Sequence, residues 1–122
     1  NTSSTDSSLS QPLRDATAFE VHLRLAGSIA NLTVRHQETP PRSPGSHAAR
    51  VNVQAAGLSF RDVLNILGLD PTGLVRPIGG EAAGIVLSVS PARGHMWASD
   101  HVYGLVPGCL RTRVWCDARY IR

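Results

Sequence analysis

Apolar and polar residues alternate along two stretches of the chain, a period of two that is typical of strands with one buried face. The first stretch is Phe19–Leu25, and the second is Ala49–Ala55, with Val51, Val53 and Ala55 on one face. Shorter apolar runs predict further strands at Leu32–Arg35, Ile85–Val89, His101–Val106 and Arg113–Cys116. Loops rich in proline and glycine are predicted at Thr39–His47 and Asp70–Gly80.

The pattern changes from strand to helix at Ser59. A serine can cap a helix N-terminus, and Asp62 three residues later suits the N3 position of a capping box. An apolar helical face follows, and Gly68 is expected to end the helix. Several short strands with one short helix predict a mainly β fold, either a barrel or a rolled antiparallel sheet. No G-x-G-x-x-G motif occurs, so these residues hold no Rossmann domain.

The length of 122 residues suits one domain. Residues 1–16 begin NTSSTDSSLSQP, a polar composition that predicts a flexible lead-in or linker and leaves residues 17–122 as the domain. No run approaches the ~18 apolar residues of a membrane span, and the polar start has no apolar signal region. We therefore expect no membrane association and a cytoplasmic location.

The positive charge is carried entirely by arginine, because all twelve basic residues are arginine and the net charge is +3. The absence of lysine excludes a catalytic or P-loop lysine from these residues. The arginines are scattered and form no stripe with interleaved aromatic residues, so we expect no nucleic-acid partner. Cys109 and Cys116 form no C-x-x-C pair and are predicted to be buried or idle thiols.

Three segments carry a resemblance to a known family: AAGLSFRDVL (Ala55–Leu64), GGEAAGIV (Gly79–Val86) and SDHVYGLVPG (Ser99–Gly108). In this order and spacing they resemble the enoyl reductase domain of type I polyketide and fatty acid synthases, members of the medium-chain dehydrogenase/reductase superfamily. The resemblance covers Phe19 to Arg122. It implies the N-terminal, substrate-side part of that domain, a GroES-like, partly open β-barrel with one or two short helices, with the nucleotide-binding domain outside these residues.

The resemblance implies a function for a longer parent protein. This function is the NADPH-dependent reduction of the α,β double bond of an enoyl thioester held on an acyl carrier protein. Neighbouring synthase domains and the nucleotide-binding domain would be its partners, and the 122 residues alone are expected to be inactive. Two alternatives stay open: a stand-alone quinone or enoyl-CoA reductase of the same superfamily, and a non-catalytic GroES-like interaction module.

By the same resemblance, Ser59, Phe60, Arg61 and Asp62 face the nicotinamide end of the cofactor cleft. A second interpretation of these residues needs no cofactor: Ser59 and Asp62 cap the helix while Phe60 packs in the core. The two roles are compatible for the capping pair.

A catalytic zinc site is not expected. Zinc-dependent relatives carry a cysteine at the position of Ser59 and a histidine at that of Gly80, and tetrahedral zinc needs such ligands. Serine and glycine supply neither thiolate nor imidazole. The five histidines also show no metal-ligand spacing.

Asp70 stands where many polyketide enoyl reductases carry a tyrosine that can protonate the α-carbon. An ionised aspartate is a poor proton donor unless burial raises its pKa. The alternative is a turn-forming aspartate before Pro71. We expect the parent enzyme to lack the tyrosine donor and to take its proton from elsewhere.

Other residues are given structural roles. Glu81 is predicted to be a buried residue whose hydrogen bonds hold its turn. Gly79, Gly80 and Gly84 are predicted to permit close backbone approach or positive φ. Trp97 and Trp115 are predicted to fill gaps in the core or at an interface.

Overall fold

The computed structural model describes residues 18–37, 45–73, 76–90 and 96–122. Its strands are β1 Phe19–Leu23, β2 Leu32–His36, β3 Ala48–Gly57, β4 Glu81–Val89, β5 His101–Leu105 and β6 Arg113–Asp117, and its α-helix is α1 Phe60–Ile66. Short 3-10 turns lie at Ile29–Asn31 and Ala118–Tyr120. The predicted lead-in of residues 1–16 and most of the loop predicted at Thr39–His47 lie outside the described residues.

Four strands form one antiparallel sheet in the order β5-β4-β3-β6, and β1 pairs with β2 in a separate hairpin. The sheet is curved, but its edge strands β5 and β6 do not pair with each other, so the barrel is not closed. Gly104 of the edge strand β5 forms an isolated bridge with Ile121, which lies in the segment after β6. The hairpin is attached through Val21, whose N–H donates to the Leu110 carbonyl, and through the Glu20–Arg111 bridge. The prediction of a mainly β, partly open barrel is confirmed.

Small and β-branched side chains on the inner face of the curved sheet form the core. The cluster includes Ala49 and Val51 of β3, Val86 of β4, Val102 of β5 and Val114 of β6. Both cysteines are free and buried, as predicted. Burial raises the pKa of Cys116 to about 11, so the thiol stays protonated at neutral pH.

One part of the predicted strand pattern is wrong. Ala55 was placed on the same face as Val51 and Val53, yet its side chain is exposed while Val51 is buried. The cause is a register shift between Val53 and Ala55, where the pairing moves from Gly84 to Ala83. Such an irregularity turns the following side chains to the other face. The second half of β3 therefore leaves the core and leads to α1.

Strand β4 begins at Glu81, four residues before the predicted start at Ile85. Alanine and glycine have low strand propensity, so the segment EAAG gave no strand signal. Its pairing with the end of β3 and with β5 decides the conformation.

The two tryptophans differ in environment. Trp97 is 68% exposed and so fills no gap in the core, while the alternative place at an interface stays a prediction. It lies in the turn before β5, where its backbone N–H donates to the Asp100 carboxylate. Trp115 is half-buried on β6, beside the Arg50 guanidinium.

Across the described ranges, no helix is both long and apolar enough to cross a membrane.

Candidate functional site

The first turn of α1 carries a complete capping box. The Ser59 Oγ accepts from the Asp62 N–H at 3.3 Å, and the Asp62 Oδ2 accepts from the Ser59 N–H at 2.9 Å and from its hydroxyl at 3.2 Å. The capping prediction for Ser59 and Asp62 is confirmed. These bonds satisfy donors that a helix N-terminus otherwise leaves free.

The second carboxylate oxygen of Asp62 reaches the turn that opens β4. Asp62 Oδ1 accepts from the Gly79 N–H at 2.9 Å, across 17 positions of sequence. The side chain is buried, with Asp62 only 8% exposed. The Asp62 carboxylate therefore links the segments Ala55–Leu64 and Gly79–Val86.

The turn itself is built around Gly79. Its φ of +98° is one that L side chains rarely adopt, and a Cβ added there would lie 2.7 Å from the Cys109 Sγ. On the side away from Asp62, the N–H of Val106 donates to the Gly80 carbonyl at 2.8 Å and that of Gly108 to the Gly79 carbonyl at 2.9 Å. The prediction of close backbone approach or positive φ is confirmed at Gly79 and, for close approach, at Gly84, where an added Cβ would lie 2.9 Å from the Val51 Cγ1. At Gly80 it is wrong, because an added Cβ would meet nothing within 4 Å and the φ is not in the left-handed region.

Glu81 takes part in this turn through its backbone. Its carbonyl accepts from the Cys109 thiol at 3.2 Å, and burial raises the pKa of that thiol. The predicted buried position of the Glu81 side chain is wrong, because the side chain is exposed. Glu81 pairs with Leu105 and Gly57 at the start of β4, and this register places its side chain on the outer face.

An apolar surface surrounds the helix start. Phe60 is 75% exposed and Leu58 is 68% exposed, so the interpretation of Phe60 as a core residue is wrong. Ser59 and Arg61 are exposed as well. Among the four predicted cofactor-side residues, three therefore lie at the surface, and the buried Asp62 bonds one of them, Ser59.

A concavity of about 590 Å³ opens beside this surface, on the outer side of the sheet. It is lined by Ala55, Gly57, Glu81, Tyr103, Leu105 and Tyr120. A neighbouring concavity of about 650 Å³ is lined by His47, Trp115, Asp117 and Arg119 among others, and Ser59–Asp62 line neither concavity. The 590 Å³ concavity borders both family-like segments, because Gly57 belongs to Ala55–Leu64 and Glu81 belongs to Gly79–Val86.

Asp70 forms the turn after α1. Its Oδ1 accepts from the Thr72 N–H at 2.8 Å and from the Thr72 hydroxyl at 2.6 Å, and its Oδ2 lies 3.7 Å from the Arg76 Nε. The Thr72 hydroxyl is the largest cause that lowers the pKa of Asp70. The turn-forming role is confirmed, and the lowered pKa leaves the carboxylate ionised at neutral pH, without a proton to give.

Asn65 is a buried structural residue of the same helix that the local pattern did not reveal. It is only 4% exposed, its Nδ2 donates to the Arg76 carbonyl at 2.6 Å and its Oδ1 accepts from the Arg76 N–H at 3.2 Å. Asn65 thus fastens the loop after α1 as Asp62 fastens the glycine turn. The available signal was the i, i+3 spacing of two polar residues beside the apolar positions of a short helix.

In the part of the chain that the structure describes, no group of three or more histidine, cysteine, aspartate or glutamate side chains could hold a metal ion.

Known proteins similar to this chain in sequence include polyketide synthases and the class-3 alcohol dehydrogenase of Drosophila melanogaster. No protein-family model matches the chain. It is 43% identical over 81 residues to the spectinabilin polyketide synthase system protein NorB of Streptomyces orinoci, across 66% of this chain and 4% of that protein. Other relatives are bacterial and fungal polyketide synthases. The chain therefore spans a small part of the length of these relatives.

Solved structures with the same fold include enoyl reductases and quinone oxidoreductases. The CurK enoyl reductase has a TM-score of 0.76 at 26% identity, over 86% of this chain and 34% of that one. A mycobacterial protein solved in complex with NADPH has a TM-score of 0.68 at 21% identity, over 86% of this chain and 33% of that one, and at this identity the likeness is one of fold. The resemblance predicted from the three segments is confirmed.

Proposed function

We propose that this chain, a GroES-like fragment similar to enoyl reductases and homologous to polyketide synthases, forms the substrate-side wall of an NADPH-dependent enoyl reductase. A longer, cytoplasmic parent protein would reduce the α,β double bond of an enoyl thioester on an acyl carrier protein. Neighbouring synthase domains and a nucleotide-binding domain outside these residues would be its partners. One observation carries the proposal: the Asp62 carboxylate joins the capped helix start to the Gly79 turn.

The described residues fit the nicotinamide end of NADPH. Phe60 and Leu58 offer exposed apolar surface to a flat ring, beside exposed Ser59 and Arg61 and above buried Asp62. They do not fit the pyrophosphate, because such groups need free N–H donors of a glycine-rich loop, and the N–H groups of Ser59 and Asp62 are already bonded. NADPH, when bound, supplies the hydride. The nucleotide-binding domain of the parent protein would hold its phosphates.

We further propose that the reaction is independent of zinc. The positions that carry a cysteine and a histidine in zinc-dependent relatives hold Ser59 and Gly80, which are not zinc ligands. An enoyl thioester is already activated for hydride attack, so an oxyanion stabiliser and a proton source suffice.

The experiment that tests the proposed function uses the purified parent protein with NADPH and an enoyl thioester of an acyl carrier protein. We expect NADPH oxidation and, by mass spectrometry, a saturated thioester. Reduction of quinones without reduction of the enoyl thioester would favour a stand-alone quinone reductase. Absence of both activities would favour a non-catalytic module.

The isolated 122 residues should show no enoyl reduction and little or no NADPH binding by calorimetry, because the sequence has no G-x-G-x-x-G motif to hold the pyrophosphate. The parent protein, assayed in parallel, is the positive control. Turnover by the purified 122 residues would refute the division of the site between two domains.

Asp70→Asn in the parent protein should leave kcat for enoyl reduction within about twofold of wild type. Asparagine keeps the acceptor for Thr72, and the ionised aspartate gives no proton at neutral pH. Steady-state kinetics checks this, with the melting temperature as the folding control. A loss of kcat above about tenfold in a variant that melts like wild type would show that Asp70 acts in catalysis.

A further inference from the structure

The Asp62 carboxylate has both oxygens engaged by groups from two different segments. Oδ2 accepts from the backbone and hydroxyl of Ser59, and Oδ1 accepts from the backbone of Gly79. The cap alone would need only Oδ2. The use of Oδ1 fixes the distance between the helix start and the glycine turn.

The turn is also fixed on its far side. The N–H groups of Val106 and Gly108 bond the Gly80 and Gly79 carbonyls, and the Cys109 thiol bonds the Glu81 carbonyl. These three donors lie in the segment that follows β5. Asp62 therefore connects α1 to a turn that is itself bonded to the barrel. This bond fixes the position of the helix start relative to the barrel.

We propose that Asp62 is a positioning residue for hydride transfer, an inference that rests on the proposed function. By holding Ser59 and Phe60 at a set place relative to the Gly79 turn, it sets where the nicotinamide ring sits against the substrate. Asp62 is buried beneath this surface and acts through Ser59 and Phe60 without touching substrate itself.

The chemistry of the bridge requires a carboxylate. Each oxygen of Asp62 faces at least one backbone N–H donor. Asparagine has the same shape but presents an NH₂ group to one of these donors, so one arm of the bridge must open. An error of about 1 Å in the placement of reacting groups can lower a rate by about a hundredfold.

The test is Asp62→Asn in the parent protein, with kcat, KM for NADPH and the isotope effect on kcat with NADPH deuterated at the transferred hydrogen. We expect kcat to fall by about tenfold to a hundredfold while KM for NADPH changes by less than about threefold. The isotope effect on kcat should rise above the wild-type value because hydride transfer becomes slower than the other steps. A fraction of unfolded enzyme would lower kcat without raising the isotope effect.

Asn65→Asp is the matched control. Asn65 lies on the same helix, is equally buried and holds a loop through two backbone bonds to Arg76. The change is again isosteric and places a carboxylate oxygen against the Arg76 carbonyl. We expect a similar loss of melting temperature in both variants, and wild-type kcat and isotope effect for Asn65→Asp once corrected for the folded fraction.

Ser59→Ala covers the case in which Asp62→Asn does not fold. It removes the hydroxyl while Asp62 keeps the Ser59 N–H and the Gly79 N–H, and we expect a fall in kcat of about threefold with a raised isotope effect. The inference is overturned if Asp62→Asn folds and retains the wild-type kcat and isotope effect. If Asp62→Asn does not fold, the same result for Ser59→Ala overturns it. If the wild-type parent does not reduce enoyl thioesters, the proposed function fails first, and the inference fails with it.

Discussion

Gly84→Ala should lower the free energy of unfolding of this chain by about 3 kcal/mol, because the added methyl group has no room. A Cβ at Gly84 would lie 2.9 Å from the Val51 Cγ1 and well inside the contact distance of the Asn52 carbonyl oxygen. Both neighbours belong to β3, which is paired with β4 and β6 in the middle of the sheet. Urea unfolding followed by circular dichroism measures the loss.

Gly80→Ala is the control, four residues away in the same motif. A Cβ there meets nothing within 4 Å, so the free energy of unfolding should change by less than about 0.5 kcal/mol. Equal stability of the two variants would contradict the close approach of β3 to β4 at Gly84.

Phe60→Glu in the parent protein should lower kcat/KM for NADPH-dependent reduction by about a hundredfold. The exposed ring is the largest apolar group of the proposed nicotinamide surface, and a carboxylate in a closed cleft would be a buried, unpaired charge. Stability of the domain should be unchanged, since Phe60 is 75% exposed in this chain. Steady-state kinetics and thermal melting separate the two effects.

Val34→Glu provides the matched control for that experiment. Val34 is 69% exposed on β2, in the separate hairpin and outside the lining of the 590 Å³ concavity, and the same charge is introduced. It should retain the wild-type kcat/KM. Equal losses in both variants, or no loss in Phe60→Glu, would argue against a cofactor-facing role for the helix start.

Much of the fold was predictable because its signals are local. Alternation in β1 and β3 and the Ser59–Asp62 cap depend on residues that are neighbours in sequence, and the structure has each of these elements. The bounds were less accurate at β4, where Glu81–Gly84 became strand through pairing with β3 and β5. Small residues have little local preference for a strand, so the strands that pair with them decide their conformation.

The candidate site was predicted in part, and the reason is again the range of the interactions. Ser59 and Asp62 could be paired from their spacing, whereas the bond from Asp62 to Gly79 spans 17 positions and has no local signal. The exposure of Phe60, Glu81 and Trp97 likewise depends on what the rest of the chain covers.

By itself, the sequence determined the types of the main elements, the capped start of α1 and the likeness to enoyl reductases, since these depend on residue order and short spacings. The tertiary structure alone decided that Ala55 turns outward after the irregularity in β3 and that Asp62 binds the glycine turn. Register shifts and bonds between distant segments are settled by close packing of the curved sheet, which no short window of sequence contains.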